Sequence, residues 1–131
     1  MSGLRILIVD DDAEIVSLVD ALLRSLGHKP TPAVGPREGL ALFHAGAELD
    51  LVLTDCVMPE IDGLELASRI HDLRPDMPVA FMTSRQDYID VLHQGNLPVL
   101  TKPFGLPELQ KLLERAMDAA DSTSGKSPKT A

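Results

Sequence analysis

Residues 6–12 have the sequence Ile6-Leu7-Ile8-Val9-Asp10-Asp11-Asp12, four large apolar side chains followed directly by three aspartates. A run that is apolar at every position is typical of a strand buried on both faces of a parallel sheet. Three later apolar runs, at residues 51–54, 79–82 and 99–101, are followed or closed by a polar residue, namely Asp55, Thr83 and Lys102. Helical patterns separate the runs, and this alternation predicts a parallel sheet with crossover helices.

The full set of predicted elements describes one α/β domain. We expect strands at residues 4–10, 28–34, 50–55, 77–83 and 99–101, and helices at residues 13–26, 35–45, 63–73, 85–94 and 107–119. Pro30 and Pro32 lack the N–H that a central strand requires, which places the second strand at an edge of the sheet. The right-handed crossover rule then favours a doubly wound five-stranded parallel sheet with five helices on its two faces.

Composition limits the class of protein. The 131 residues, 44% of them hydrophobic, fit a single domain of residues 1–120, followed by a polar tail at residues 121–131 that we expect to be disordered. The net charge of −8 argues against direct binding of nucleic acid. No apolar run reaches the roughly 20 residues that span a bilayer, no secretory signal is recognisable, and the single Cys56 fits a reducing compartment. These features predict a cytoplasmic protein without membrane contact.

Polar residues at the strand ends predict a shared site. The carboxyl ends of parallel strands lie at one rim, where ligands bind, so we expect Asp10, Asp11, Asp55, Thr83 and Lys102 to converge. Mg²⁺ takes oxygen ligands from one or two carboxylates together with phosphate oxygens, and it would offset the repulsion between adjacent aspartates. The alternative for the aspartate row is a helix N-cap with an acidic first turn, which accounts for Asp12.

Asp55 ends a buried strand, where a carboxylate gains nothing from packing. It is either a loop-start aspartate that bonds nearby backbone or a nucleophile that accepts a phosphoryl group. Lys102 is suited to pair with Asp55 before reaction and with a phosphoryl oxygen afterwards, and Thr83 offers a hydroxyl to another oxygen. Taken alone, Lys102 is a solvated charge and Thr83 a strand residue, but the combination favours phosphoryl chemistry.

The order and spacing of four segments resemble the receiver domain of bacterial two-component response regulators, over about residues 4–119. The segments are Ile6-Leu7-Ile8-Val9-Asp10-Asp11-Asp12, Leu53-Thr54-Asp55-Cys56-Val57-Met58-Pro59-Glu60-Ile61-Asp62-Gly63, Met82-Thr83-Ser84 and Lys102-Pro103-Phe104. The resemblance implies a flavodoxin-like sheet with strand order 2-1-3-4-5. It also implies roles for individual residues: Asp55 as phosphoacceptor; Asp10, Asp11, Asp55 and the Val57 carbonyl as ligands of Mg²⁺, or of Mn²⁺ in its place; Thr83 as switch hydroxyl; and Lys102, joined to Pro103 by a cis bond, as partner of the phosphoryl group.

Two features depart from the family pattern. Val99 stands three residues before the lysine, where the family usually has Tyr or Phe, and the span from Thr83 to Lys102 is shorter by a helical turn. A β-branched valine is too short and too stiff to swing as an aromatic ring does. We therefore expect phosphorylation to alter mainly residues 84–98, with little rotamer change at Val99. Residues 97–100 resemble receivers attached to hybrid sensor kinases.

The resemblance implies a signalling switch rather than an enzyme acting on external substrates, since receivers catalyse only their own phosphorylation and dephosphorylation. The implied partners are a sensor histidine kinase or a histidine phosphotransfer protein, and an unknown downstream protein target. No output sequence follows Ala119, so the alternatives are a stand-alone regulator and the receiver module of a hybrid sensor kinase in a phosphorelay. A Mg²⁺-dependent aspartyl phosphatase is a further alternative. Phosphatases of the haloacid-dehalogenase type, however, carry a second aspartate two residues after the nucleophile, where this chain has Val57. The four histidines lack metal-ligand spacing and are expected at the surface.

Overall fold

The computed structural model describes residues 3–126, along which strands and helices alternate. The strands are β1 (Arg5–Asp10), β2 (Lys29–Val34), β3 (Leu51–Asp55), β4 (Val79–Thr83) and β5 (Val99–Thr101). The helices are α1 (Ala13–Ser25), α2 (Pro36–His44), α3 (Gly63–Leu73), α4 (Gln86–Gln94) and α5 (Leu106–Lys126). All bounds except the end of α5 agree with the predicted ones to within two residues.

The five strands form one parallel sheet in the order β2-β1-β3-β4-β5, which confirms the expected fold class. β2 lies at an edge, as its two prolines predicted, with Pro30 and Pro32 in register with Ile6 and Ile8 of β1. An edge strand needs hydrogen-bond donors on only one side, so the missing N–H groups cost no ladder bond there.

Helices cover both faces of the sheet. On one face, α1 and α5 pack against the strands, with the buried side chains Leu109, Leu112, Leu113 and Ala116 forming the apolar side of α5. On the other face, α2, α3 and α4 enclose a second core cluster. The three central strands, β1, β3 and β4, are therefore apolar over most of their length on both faces, and their charged groups are confined to the strand ends.

The last helix is longer than predicted. The sequence indicated a helix to about Ala119 and disorder from Asp121, whereas α5 continues to Lys126. Residues 108–124 contain neither glycine nor proline, so nothing in the local sequence stops the helix at Ala119. Residues 127–131 of the predicted tail lie outside the described residues.

Candidate functional site

The predicted residues converge where the strand order reverses. β1 and β3 are neighbours in the sheet although α1, β2 and α2 lie between them in sequence, and such a switch point opens a crevice at the carboxyl ends of the strands. Val9 is in register with Thr54, and Asp55 with Met82. The last residues of β1, β3 and β4 therefore reach the same rim.

Three carboxylates form the centre of this rim. One oxygen from each of Asp10, Asp11 and Asp55 lies within 4.8 Å of the other two. Asp10 and Asp55 are buried, at 1% and 7% exposure, while Asp11 is exposed. All of these donors are carboxylate oxygens, which suits a hard divalent cation with several retained waters and does not suit a soft metal. Asp12 is not in the cluster; its side chain accepts from Glu14 N–H and caps α1.

Lys102 connects two of the carboxylates. Its Nζ donates to Oδ2 of Asp10 at 2.9 Å and to Oδ1 of Asp55 at 3.2 Å. The sequence predicted the contact with Asp55 but not the shorter one with Asp10. The predicted cis bond between Lys102 and Pro103 is present.

Burial and charge change the acidity of these groups. Desolvation, followed by the negative charge of Asp10, raises the pKa of Asp55, and Lys102 offsets this rise only in part. Desolvation acts to lower the pKa of Lys102, but the hydrogen bond and charge of Asp10, with a further contribution from Asp55, outweigh it and leave that pKa raised. Lys102 is therefore protonated, because its ammonium group contacts two carboxylates. Three carboxylates thus face one ammonium group, and the excess negative charge favours a bound cation.

Backbone contacts position Asp55 and Thr83. Oδ1 of Asp55 accepts from the Cys56 N–H at 2.9 Å. Thr83 is buried at the end of β4, where its Oγ1 accepts from the Arg85 N–H at 3.0 Å. Val57 lies in the loop two residues after Asp55, and its role as a carbonyl ligand stays a prediction.

Two other residues, His28 and Cys56, are buried, and the burial of His28 differs from the prediction. His28 is buried at 6% exposure, so its predicted surface location is wrong. Its Nδ1 accepts from the Leu4 N–H at 3.1 Å, and desolvation lowers the pKa of the ring. Cys56 is buried, and desolvation together with the charge of Asp55 raises the pKa of its thiol to about 12, which leaves it unreactive.

One contact near the site was missed by the sequence analysis. The Tyr88 hydroxyl donates to Oδ2 of Asp62 at 2.9 Å. Tyr88 is the only tyrosine of the chain, but a pair separated by 26 residues leaves no local pattern that would have indicated it.

Comparison with known proteins identifies the family. A family model described as the response regulator receiver domain matches residues 6–114. The chain belongs to this family. The predicted resemblance and fold class are thereby confirmed.

This receiver domain is similar to longer regulators and to isolated receivers. It is 35% identical over 122 residues to the DNA-binding transcriptional regulator NtrC of Azospirillum brasilense, which covers 91% of the receiver and 25% of NtrC. A receiver domain of Clostridium thermocellum superposes with a TM-score of 0.79 at 25% identity, covering 90% of this chain and 97% of that one. The response regulator TrrA of Thermotoga maritima, solved in complex with Mg²⁺–BeF, gives a TM-score of 0.76 at 30% identity, covering 88% and 99%.

The receiver spans between 25% and 29% of the length of its NtrC and ZraR relatives. Among residues 3–126, no helix is both long enough and apolar enough to cross a bilayer.

Proposed function

We propose that this receiver accepts a phosphoryl group on Asp55 from a phosphohistidine, in a reaction that requires Mg²⁺ or Mn²⁺. The observation that carries the proposal is the Lys102 ammonium group, which lies between Asp55 and a second buried carboxylate, Asp10, and contacts both. A carboxylate attacking an anionic phosphate needs positive charge nearby to neutralise the repulsion between the two anions. Lys102 supplies one such charge from the protein.

In this reaction Oδ2 of Asp55 is the attacking atom, because the hydrogen bonds from Cys56 and Lys102 both end on Oδ1. The new bond joins Oδ2 to phosphorus, the phosphorus–nitrogen bond of the donor breaks, and its electron pair stays on the imidazole nitrogen. Hydrolysis later transfers the phosphoryl group to water and restores the carboxylate. Receivers of this kind turn over no external substrate, and the Val57 side chain, standing where a phosphatase has its acid/base aspartate, fits that conclusion.

Asp10, Asp11 and Asp55, with the carbonyl of Val57, would hold the cation. The cation would neutralise the negative charge of the phosphoryl oxygens during the transfer. After the transfer, Lys102 pairs with one phosphoryl oxygen, and the Thr83 hydroxyl donates to another. Ser84, small and exposed, leaves the approach to Asp55 open.

The partners we propose are a sensor histidine kinase or a histidine phosphotransfer protein as donor, in the cytoplasm, and a downstream protein as target. The net charge of −8 favours protein contacts over direct contact with nucleic acid. The alternative, a receiver module of a hybrid sensor kinase, would use the same phosphoryl chemistry. The full reading frame around this sequence would distinguish a hybrid kinase from a stand-alone regulator.

The test is phosphorylation by acetyl phosphate with Mg²⁺, followed by intact-mass measurement. We expect one phosphoryl group, labile in alkali as an acyl phosphate is, and none on Asp55→Asn. Asp72→Asn, which changes an exposed aspartate of α3, is the matched control and should be labelled like the wild type. Lys102→Ala should be labelled at least about tenfold more slowly, as expected from loss of one electrostatic contact to the transferred group. Full labelling of Asp55→Asn at another residue would refute the assignment.

A further inference from the structure

A hydrogen bond joins α4 to the start of α3 beside the acidic site. The Tyr88 hydroxyl, in the first turn of α4, donates to Oδ2 of Asp62. Oδ1 of the same carboxylate accepts from the Glu65 N–H, which makes Asp62 the N-cap of α3. The Tyr88 ring packs against the core cluster on this face of the sheet. One carboxylate therefore holds the first turns of two helices together.

The first turn of α4 is also tied to Thr83. Arg85, the N-cap residue of α4, makes no side-chain cap of its own, and its N–H donates to Oγ1 of Thr83. Its guanidinium pairs with Asp87 and lies 5.8 Å from the centre of the Tyr88 ring. The start of α4 is therefore held from two sides, by Thr83 Oγ1 and by Asp62 Oδ2.

We propose that Tyr88 is the positioning residue that couples Thr83 to α4, and that its hydrogen bond to Asp62 breaks on phosphorylation. This inference rests on the phosphoacceptor function proposed above. When the Thr83 hydroxyl moves to a phosphoryl oxygen, Oγ1 leaves the Arg85 N–H, and α4 loses one of its two ties. Tyr88 lies in the same turn as Arg85, so a shift of that turn moves the phenol away from Asp62.

The side chain of Val99 cannot respond to a movement of Thr83 in this way. It is buried at 8% exposure in β5, and its β-branched side chain has restricted rotamers. The remaining apolar anchors of α4 are Ile89 and Leu92, both beyond the first turn. Apart from the packing of the Tyr88 ring, the position of the first turn therefore depends on the two hydrogen bonds, and a turn with so few apolar contacts is where low-energy movement is expected.

The intrinsic fluorescence of the protein tests this directly, because Tyr88 is the only tyrosine and there is no tryptophan. A carboxylate that accepts the phenolic hydrogen bond quenches tyrosine emission. Adding Mg²⁺ and beryllofluoride to the full chain should therefore increase the emission, with the same concentration dependence as the bound-fluoride resonance in fluorine NMR. Asp55→Asn should show neither signal.

The two readouts separate the possible failures. A bound-fluoride resonance with unchanged Tyr88 emission would overturn the coupling role and leave the phosphoacceptor function intact. Absence of the resonance in the wild type would overturn the phosphoacceptor function and the coupling role with it.

Two conservative variants test the same bond by affinity. Tyr88→Phe removes only the hydroxyl, and Asp62→Ser removes Oδ2 while serine still caps α3. If the bond stabilises the unphosphorylated position of α4, each variant should bind beryllofluoride with Mg²⁺ about fivefold more tightly, equivalent to about 1 kcal/mol. The double variant should gain no more than either single variant.

Gln86→Ala is the matched control, because it removes the Gln86–Asp90 hydrogen bond on the exposed side of the same helix. Its affinity should equal that of the wild type. Unchanged or weaker affinity in Tyr88→Phe and Asp62→Ser, with loss of stability alone, would show that the bond is merely structural and would overturn the proposal.

Discussion

The surroundings of Asp55 stabilise its negative charge only in part. Its carboxylate is almost fully buried beside Asp10, and both facts disfavour its charge. Lys102 compensates only partly, because its shorter contact is to Asp10. A buried carboxylate whose charge is only partly compensated is stabilised by additional positive charge, and a bound cation provides that charge. This arrangement supports the role proposed for Asp55, at some cost to the stability of the fold.

The first prediction follows from the raised pKa of Asp55. The folded protein binds a proton at this residue more readily than the unfolded chain, so stability is lost as pH rises through the folded pKa. Asp55→Asn removes the charge and keeps Oδ1 as an acceptor for Cys56 and Lys102. Without divalent cations at about pH 7, the variant should have a higher free energy of unfolding by on the order of 1 kcal/mol.

Urea denaturation across pH checks this prediction. The difference in free energy of unfolding between Asp55→Asn and the wild type should shrink as pH falls toward 3.8, the ordinary pKa of the Asp55 carboxyl. Asp72→Asn should show no such pH-dependent difference from the wild type. A wild type that is more stable than Asp55→Asn at neutral pH would contradict the argument.

The loop between β3 and α3 is the element that fixes the position of Asp55, the proposed phosphoacceptor. The Gly63 N–H, at the start of α3, donates to the Cys56 carbonyl at 2.8 Å. A Cβ on Gly63 would lie 2.3 Å from the carbonyl oxygen of Asp55 and 3.0 Å from Cα of Cys56. Only glycine permits this approach, because the obstructing atoms are backbone and cannot rotate away. The start of α3 and the backbone of Asp55 are therefore positioned by one contact.

The second prediction is that Gly63→Ala impairs both stability and phosphorylation. The methyl group must displace the backbone at Asp55, which should reduce the free energy of unfolding by about 1–3 kcal/mol and slow labelling by acetyl phosphate. Gly95→Ala is the control, since a Cβ there meets nothing closer than 3.6 Å. Thermal melts and labelling rates of the two variants give the comparison. Wild-type labelling by Gly63→Ala would show that the contact does not position Asp55.

At the scale of the whole molecule, the site exists only when the sheet is complete. Its groups come from the ends of β1, β3 and β4 and from the residue after β5, and Lys102 lies 92 positions from Asp10. The unfolded chain cannot hold these groups together, so a ligand of the assembled site binds the folded state selectively. Binding then stabilises the fold in proportion to the logarithm of ligand concentration.

The third prediction is that Mg²⁺ raises the melting temperature of the wild type in a concentration-dependent way. Asp11→Asn should weaken this effect by about tenfold in apparent affinity, with little loss of stability in the absence of Mg²⁺, because Asp11 is exposed. Asp12→Asn is the neighbouring control: asparagine also caps α1, and Asp12 lies outside the carboxylate cluster. Equal Mg²⁺ affinity for the wild type and Asp11→Asn would remove Asp11 from the cation site.

Local patterns account for most of what could be predicted of this receiver. Continuous apolar runs indicated buried strands because both faces of a parallel sheet are covered. Pro30 and Pro32 indicated an edge because they cannot donate to a neighbour, and polar residues closing the strands indicated a rim. The position of Asp12 before α1 identified its cap. Each of these properties depends on neighbours in sequence, so the sequence alone determines them.

The tertiary structure decided the contacts between distant residues. Lys102 binds Asp10 more closely than Asp55, Tyr88 reaches Asp62, and His28 is buried against Leu4. Such contacts depend on the register of strands and the packing of helices, which bring together residues far apart in the chain and leave no periodic trace in it. The sequence by itself therefore determined the order of the elements, the fold class and the carboxylates and lysine that meet at the rim of the sheet. Only the packed structure determined how those groups share charge and which helix is tied to them.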